Sequence, residues 1–302
     1  MLHFDLADLR LFINISETPS MTQGARKSFM STAAASNRIK KLEAQVGTPL
    51  LYRDSKGVEL TSAGSILLKH ARIILSQAQY LQNELSEFSD QQVGHIRIFA
   101  NTTAVTDFLP ETLAVLMVKH PQLTIDLQER ANLEVWRGVA EGASDIGITA
   151  GPIKAKGLEV IHFSTDRLVL TINSAHPLAH KQSIRLEETL DYSHICLQEG
   201  SSLLRFLKNQ VDSLQRDINV RIQVFGFESM CRMIEAGVGI GILPESSALR
   251  HQQTMDLKII QLDEPWALRE RSIVVRDSQA LPEYVKTLIK LLVKEPSQQA
   301  VQ

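Results

Sequence analysis

The feature that most constrains this chain is one long helical segment that divides it in two. Apolar residues recur there at alternating spacings of four and three, at Leu67, Ala71, Ile74, Ala78, Leu81, Leu85 and Phe88. A spacing of 3.5 residues held over three heptads is typical of a coiled-coil seam. We therefore expect a dimerisation helix. Packing of this helix inside its own domain is the alternative, because Ile66, Ile73 and Leu75 widen its apolar face.

The segments on either side of this helix have different patterns. The first 60 residues predict short helices with tight connections, followed by a β-hairpin around Ser55, Lys56 and Gly57. Beyond Gly94, strand-like runs alternate with helical segments of about 10–15 residues. This alternation predicts a mostly parallel sheet with right-handed crossovers, and its length predicts two α/β lobes.

Composition excludes several classes of protein. The 302 residues include 32 basic and 34 acidic side chains, so a cationic coat over the whole chain is excluded. No apolar run approaches about 18 residues, and the start lacks a cationic segment followed by an apolar run. We therefore expect a soluble, cytoplasmic protein. Cys196 and Cys231 lie far apart, which favours two core residues over a disulfide framework or a zinc cluster.

Charge is distributed unevenly along the chain. Residues 20–60 carry seven basic and three acidic side chains, whereas residues 91–302 carry 22 basic and 25 acidic ones. This contrast is expected if only the N-terminal segment meets a polyanion, although a solvated basic face would give the same counts.

The third predicted helix has the pattern of a DNA-recognition helix. Ser31 is placed to cap it, and Ala35, Ile39, Leu42 and Val46 form one apolar stripe. The opposite face has small, polar and basic residues, which lets a backbone approach base edges while cations hold phosphates. Two helices joined by a tight turn indicate a helix-turn-helix. The residues predicted to contact DNA are Ser31, Thr32, Ala33, Ser36, Asn37, Arg38, Lys40, Lys41, Arg53 and Lys56.

Short motifs along nearly the whole chain resemble those of LysR-type transcriptional regulators. They include the segments at 20–25, 30–36, 39–43, 47–50 and 60–64, then Gly94-His-Ile-Arg-Ile98, Phe108-Leu-Pro110, His176-Pro-Leu-Ala179 and the glycine-rich segment 235–244. The chain departs from the family pattern at Thr32 and Ala33, where Gln and Pro are common, and at Gly24, where Ala is usual. These departures concern the preferred base sequence more than the fold.

The resemblance implies a domain organisation. It places a winged helix-turn-helix at residues 1–60, a linker and dimerisation helix at 61–92, and an effector domain at 93–302. The effector domain would consist of two Rossmann-like lobes, as in type II periplasmic binding proteins, with lobe I at about 93–163 and 269–297 and lobe II at about 164–268. The implied partners are double-stranded promoter DNA, a small-molecule effector, further copies as a homodimer or dimer of dimers, and RNA polymerase. No cofactor, metal or membrane is implied.

The resemblance also implies an effector cleft between the lobes. Its implied contacts are Asn101, Thr102, Thr103, Asn132, Thr149, Ser201, Ser202, Phe227 and Glu228. Several of these residues precede a predicted helix, where hydroxyls and free N–H groups favour an anion. No Arg or Lys lies in these turns, so we expect neutral donors, more than a salt bridge, to hold a small organic anion. Ordinary helix caps around a neutral ligand are the alternative.

A second class of protein has to be weighed against a regulator. A metabolic enzyme or solute receptor could use the two lobes, with the N-terminal helices serving only for assembly. An assembly helix would expose apolar residues, however, where this one has Asn37, Lys40 and Lys41. The segment Gly237–Gly241 follows a helix, the reverse of a dinucleotide-binding order, and no catalytic motif is recognisable. The sequence therefore predicts a non-enzymatic, effector-responsive DNA-binding regulator.

Overall fold

The computed structural model describes residues 4–54, 57–86, 94–152 and 157–294. Contacts divide the chain into two compact units, Met1–Val93 with Ala140–Ala143, and Gly94–Val139 with Ser144–Gln302. No helix in the described part combines the length and apolar character that a membrane span requires.

The first unit contains three short helices, a hairpin and a long helix. They are α1 (Leu6–Ser16), α2 (Met21–Lys27), α3 (Thr32–Val46), β1 (Leu51–Asp54), β2 (Gly57–Leu60) and α4 (Ser62–Ser86). Polar side chains fix the helix starts, as predicted for α2 and α3: Ser20 accepts from the backbone N–H of Gln23, and Ser31 from that of Ala34. Gly47 adopts a left-handed conformation that ends α3.

One apolar core holds this unit together. The predicted stripe of α3 enters it through Ala35, Ile39 and Leu42, which pack with Phe12 and Ile15 of α1. Burial of such side chains stabilises the fold by roughly 1.5–3 kcal/mol each. The opposite face of α3 therefore remains in solvent.

The first lobe of the second unit surrounds the core of Ile96, Ile98 and Leu116. Its elements are β3 (Gly94–Ala100), a π-helical turn (Ala104–Phe108), α5 (Leu109–Lys119), β4 (Leu123–Glu129), α6 (Asn132–Ala140), β5 (Ile146–Ala150) and α11 (Glu283–Lys294), with parts of two long strands. Strand β3 pairs in parallel with β4 and β5, so the carboxyl ends of the three strands lie at the same edge of the sheet.

The second lobe has two adjoining apolar clusters, one including Leu170 and Ile260 and the other Val169 and Met230. Its elements are a 3-10 helix (Pro177–His180), β7 (Ser183–Ile184), α7 (Leu186–Thr189), β8 (His194–Leu197), α8 (Ser202–Asp212), β9 (Val220–Val224), α9 (Phe227–Glu235), β10 (Gly241–Pro244), α10 (Glu245–Gln252), β11 (Leu257–Leu262) and a 3-10 turn (Pro265–Ala267).

Two long strands connect the lobes. They are β6 (Glu159–Asn173) and β12 (Leu268–Val275), which pair antiparallel in the middle of an eight-stranded sheet of order β4-β3-β5-β12-β6-β11-β7, with β10 also on β6. Phe163 of β6 lies in the first core and Leu170 in the second.

The predicted fold class is confirmed, but the sheet is less parallel than expected. Strands β5, β10 and β11 also pair antiparallel with β12 or β6. The strand-like runs of the sequence include only residues 168–173 of β6, so the prediction missed most of this strand, because the polar residues of Glu159–Asn173 hide a strand that crosses from lobe to lobe. It also missed α10 and β11.

Candidate DNA-binding surface and effector cleft

Helix α3 presents a polar and cationic face to solvent. Ser31, Thr32, Ala33, Asn37, Lys40 and Lys41 are exposed, and Ser36 is half-buried. The residues share this face because the apolar stripe buries the other side of the helix. Short side chains thus occupy its N-terminal end, where backbone and base edges can approach closely.

Arg38 differs from the other cations of α3. Its Nε donates to Asp8 Oδ1 at 2.7 Å, and its Nη2 donates to Asp5 Oδ1 at 3.0 Å. The hydrogen bond to Asp8 is the main reason why the pKa of Arg38 is raised. Arg38 therefore joins α3 to the start of α1 instead of standing on an open cationic face. The side chain of Arg53 and all of Lys56 lie outside the described residues.

Gly24, where the family usually has Ala, marks a close approach of two helices. A Cβ atom at Gly24 would lie 2.6 Å from the Cα of Ile15. Real contacts of this kind are not that short, so α1 and α2 would have to separate. The departure from the family pattern therefore follows from packing inside this unit.

The predicted coiled-coil seam of α4 has two different halves. Ala71 is buried and Leu67 packs on the core of the first unit. Ile74 and Leu81 are 42% and 58% exposed, and Leu85 is also exposed, whereas Ala78 is half-buried. Phe88 lies outside the described residues. The alternative of packing within its own domain thus fits the first half of the helix, whereas the seam positions Ile74, Leu81 and Leu85 of the second half are exposed in the single chain.

A cleft between the two lobes brings four of the predicted effector residues together. Asn101, Thr102 and Thr103 line it from the first lobe, and Ser202 lines it from the second. The cleft encloses about 480 Å³ of empty space, part of which opens to solvent. Its other lining residues are Ala150, Asp166, Arg167, Leu168, Leu203, Pro244, Arg269 and Arg271.

Three further predicted residues support the cleft without lining it. The backbone N–H of Asn132 donates to Ser202 Oγ at 2.8 Å, and its Nδ2 donates to the Ala150 carbonyl at 2.8 Å. Ser201 caps α8, which is the ordinary helix-cap role that we gave as the alternative to effector contact. Thr149 is buried beside Ala150, and its Oγ1 has no hydrogen-bond partner among the described residues.

Phe227 and Glu228 do not line the cleft, and the expectation for them has to be corrected. Phe227 is buried in the core of the second lobe, because the apolar face of α9 turns inward. Glu228 is exposed and pairs with Arg232 one helical turn later, at 3.2 Å.

The cleft also contains cations that sequence reasoning missed. Arg269 is the most unusual, because its Nε and Nη1 are shielded from solvent and have no hydrogen-bond partner among the described residues. Its Nη2 donates to the Ala150 carbonyl at 2.8 Å. Burial lowers the pKa of Arg269 to about 10, so its guanidinium is still charged at neutral pH. A Cβ at Gly151, which has a φ of +92°, would overlap this guanidinium.

Arg271 and Asp166 form a compensated pair nearby. Arg271 Nη2 donates to Asp166 Oδ2 and, at 2.8 Å, to Ser246 Oγ. Asp166 also accepts from Ser246 Oγ at 2.7 Å. Asp166, the one carboxylate among the described lining residues, thus neutralises Arg271, and no described carboxylate pairs with Arg269.

Both cysteines behave as core residues. Cys196 and Cys231 are buried in the second lobe, where desolvation raises their pKa values to about 11 and about 12. They are therefore neutral thiols at pH 7. The described residues contain no group of His, Cys, Asp and Glu that could hold a metal ion.

Comparison with known proteins identifies the family of the chain. Residues 6–65 match the model of the bacterial regulatory helix-turn-helix protein, lysR family, and residues 89–297 match the model of the LysR substrate binding domain. The chain belongs to the LysR family. The predicted identification is thus confirmed, and this LysR-family member is a DNA-binding transcriptional regulator with an effector-binding domain.

Its relatives span the same length. A probable RuBisCO transcriptional regulator of Emiliania huxleyi is 28% identical over 96% of this chain and 94% of the relative. A probable RuBisCO transcriptional regulator of Synechocystis is 23% identical over 91% of this chain and 82% of the relative.

Solved structures of low identity share the fold. A full-length OxyR variant from Pseudomonas aeruginosa has a TM-score of 0.73 at 22% identity, covering 96% of this chain and 95% of that one. CbnR, a LysR family transcriptional regulator, has a TM-score of 0.63 at 18% identity, covering 96% and 98%. The regulatory domain of Synechocystis CcmR, in complex with 2-PG, has a TM-score of 0.59 at 22% identity, covering 68% and 99%.

Proposed function

We propose that this LysR-family regulator controls transcription, without enzymatic activity, in response to a small organic anion that Arg269 holds in the cleft. The observation that carries the proposal is the guanidinium of Arg269, which is charged, shielded and unmatched by any carboxylate among the described residues. An uncompensated buried charge is unfavourable, and an anionic ligand would compensate it.

The geometry of the guanidinium favours a carboxylate. A guanidinium has five N–H donors and two edges on which a carboxylate can accept two parallel hydrogen bonds. The Ala150 carbonyl takes one donor of Nη2, so one edge stays complete. The hydroxyls of Thr103 and Ser202 line the same space and can donate to the remaining oxygens of an anion, whereas the Thr102 hydroxyl already donates to Glu129 Oε1 at 2.6 Å. The neutral donors expected from the sequence thus assist a salt bridge instead of replacing it.

The other parts of the proposal follow the domain organisation expected from the sequence. Residues 1–60 bind promoter DNA through the exposed face of α3, and the wing assists through Arg53 and Lys56. The linker at 61–92 joins two copies along Ile74, Leu81 and Leu85, which are exposed in the single chain. Residues 93–302 bind the effector, and the assembled dimer or dimer of dimers contacts RNA polymerase at the promoter.

A thermal-shift screen of the full chain tests the effector class. The panel contains small carboxylates, phosphorylated carboxylates such as 2-PG, and the neutral amide of each carboxylate. We expect some anions to raise the melting temperature and their amides to have no effect. Stabilisation by neutral or cationic compounds alone would contradict the proposal.

Matched variants locate the site. Arg269→Gln should weaken binding of any active anion on the order of 10–100-fold, since a hydrogen bond to a charged group contributes about 1.5–3 kcal/mol. Arg216→Gln is the control, because Arg216 is exposed and pairs with Asp191 away from the cleft lining. Equal binding by both variants would place the anion elsewhere.

A further inference from the structure

A π-helical turn leads from the effector cleft into α5. The backbone N–H of Leu109 donates to the carbonyl of Ala104, five residues earlier, instead of to the residue four earlier. The next residue is Pro110, which has no N–H to donate to the carbonyl of Thr106, four residues before it, and whose ring would clash with that carbonyl in a regular α-helix. Pro110 thus accounts for the break in the regular α-helix next to the π turn and removes the α-helical donor of the Thr106 carbonyl.

Arg250 of α10 supplies the missing donor from the other lobe. Its Nη1 donates to the Thr106 carbonyl at 3.1 Å, and its Nη2 donates to the Asp107 carbonyl. In the same place Ser247 Oγ donates to Asp107 Oδ2. Asp107 is almost fully buried, and burial raises its pKa. We call Asp107, Ser247 and Arg250, together with the Thr106 carbonyl, the interlobe clasp.

The same turn is fixed to the cleft at its other end. The carbonyl of Asn101 accepts from the N–H of Val105 at 3.1 Å, and Asn101 Oδ1 accepts from the N–H of Ala104 at 3.0 Å. The Thr106 hydroxyl donates to the Thr102 carbonyl at 3.0 Å. Asn101, Thr102 and the π turn therefore form one hydrogen-bonded segment, held at one end by the second lobe.

We infer that Arg250 is a positioning residue for the effector cleft, acting through the Thr106 carbonyl, whose α-helical donor Pro110 removes. Arg250 is not among the described residues that line the cleft, so we place its action on a ligand in the π turn that it contacts. When an effector bridges Asn101, Thr102 and Thr103 to Ser202, the interlobe clasp holds the first lobe in a fixed position relative to α10. The predicted effect of Arg250 on effector binding rests on the proposed function, whereas the hydrogen bonds of the clasp do not depend on it.

The role of Pro110 makes the inference testable by a double-mutant cycle. In Pro110→Ala the new N–H can donate to the Thr106 carbonyl, so this carbonyl no longer depends on Arg250. We expect Arg250→Gln to increase amide hydrogen exchange in residues 104–109 about tenfold or more in the parent chain, and by a clearly smaller factor in the Pro110→Ala background, where only the contacts of Arg250 with Asp107 are still lost. Arg250→Lys should restore part of the protection from exchange, because a lysine ammonium keeps the positive charge but lacks the two planar NH2 groups that contact both carbonyls.

Arg232→Gln of α9 is the matched control, because Arg232 pairs with Glu228 on its own helix. It should leave exchange in residues 104–109 unchanged. An increase of equal size in both backgrounds, or no increase in either, would overturn the role of Arg250. Urea unfolding of each variant establishes that the change is local, and a variant that unfolds is replaced in the cycle by Arg250→Lys.

Sulfate, titrated into the full chain by thermal shift, tests the link to the cleft. Arg250→Gln should weaken sulfate binding several-fold with Pro110 present and by a smaller factor with Pro110→Ala. Equal weakening in both backgrounds would contradict positioning through the π turn. If sulfate does not bind the parent chain, the proposed anion site loses support, and the exchange measurement alone decides the role of Arg250.

Discussion

The Cζ atom of Arg269 lies 3.8 Å from the centroid of the Phe206 ring. Phe206 in turn meets Trp266 edge-on, with ring centroids 5.5 Å apart. The aromatic face attracts the cation but adds no hydrogen-bond acceptor. The second lobe thus holds the guanidinium in place, and its Nε and Nη1 have no hydrogen-bond partner among the described residues, which is the geometry on which the proposed anion site rests.

The first prediction separates ligand binding from stability at this position. Arg269→Met keeps the apolar stem and removes the unpaired charge, so the melting temperature without ligand should stay the same or rise. The stabilisation by an active anion should disappear. A melting temperature that falls by several degrees without ligand would mean that Arg269 serves the fold instead of the effector.

The second prediction distinguishes base recognition from phosphate contact on α3. Asn37→Ala should reduce discrimination between the operator and altered operators by about 1–3 kcal/mol at one or two base pairs. Lys40→Ala should weaken binding to all sequences alike and lower the salt dependence by about one counterion. Fluorescence anisotropy at several salt concentrations measures both effects. Equal losses on operator and random DNA for Asn37→Ala would contradict base recognition.

The third prediction concerns the exposed apolar residues Ile74 and Leu81 in the second half of α4. Lysines in place of Ile74 and Leu81 would set like charges from two chains in one apolar seam, which costs several kcal/mol. The double variant should sediment as a folded monomer at micromolar concentration and bind the operator weakly. Ile66→Lys is the control, because Ile66 is exposed on the same helix but outside the seam. An unchanged oligomer in the double variant would show that dimers form elsewhere.

The fourth prediction is that Gly24→Ala destabilises the first unit, although Ala favours helix by about 1 kcal/mol over Gly. The added Cβ would stand 2.6 Å from the Ile15 backbone, and such overpacking costs about 1–3 kcal/mol. Gln23→Ala, at an exposed position of the same helix, should be nearly neutral. Thermal unfolding compares the two. A Gly24→Ala chain as stable as the parent would show that α1 and α2 can separate freely.

The fifth prediction is a pH dependence that arises from His194. Its Nδ1 donates to the Tyr192 carbonyl at 3.0 Å, and burial lowers its pKa to about 4. Between pH 6.5 and 4 the unfolded chain binds a proton that the folded chain does not, so stability falls as the pH falls. With about 1.36 kcal/mol for each pKa unit, the loss amounts to at most about 3 kcal/mol.

Urea unfolding at a series of pH values measures this slope. His194→Asn should lose stability less steeply between pH 6.5 and 4 than the parent chain. His70→Asn is the control, because His70 is exposed on α4, and its slope should match that of the parent. Identical slopes for all three chains would show that His194 takes up a proton without cost.

The sequence by itself determined the local features of this protein. The spacing of Ala35, Ile39 and Leu42 predicted the buried side of α3, because a helix repeats every 3.6 residues whatever it packs against. Ser20 and Ser31 predicted helix starts, since a cap bonds within three residues of itself. The first contact segment of the cleft, at Asn101–Thr103, followed from the family resemblance.

Only the tertiary structure decided which distant residues complete the cleft and its support. Arg269 lies more than 160 positions after Asn101 and reaches the same space because β12 returns beside β6 and β5. Helix α10 could not be predicted, because Glu245–Gln252 has no apolar stripe. The same helix nevertheless places Ser247 and Arg250 against the π turn. Spacing along the chain reports which side of an element is buried. The pairing of strands between lobes decides which charges meet, and no short segment of sequence contains that information.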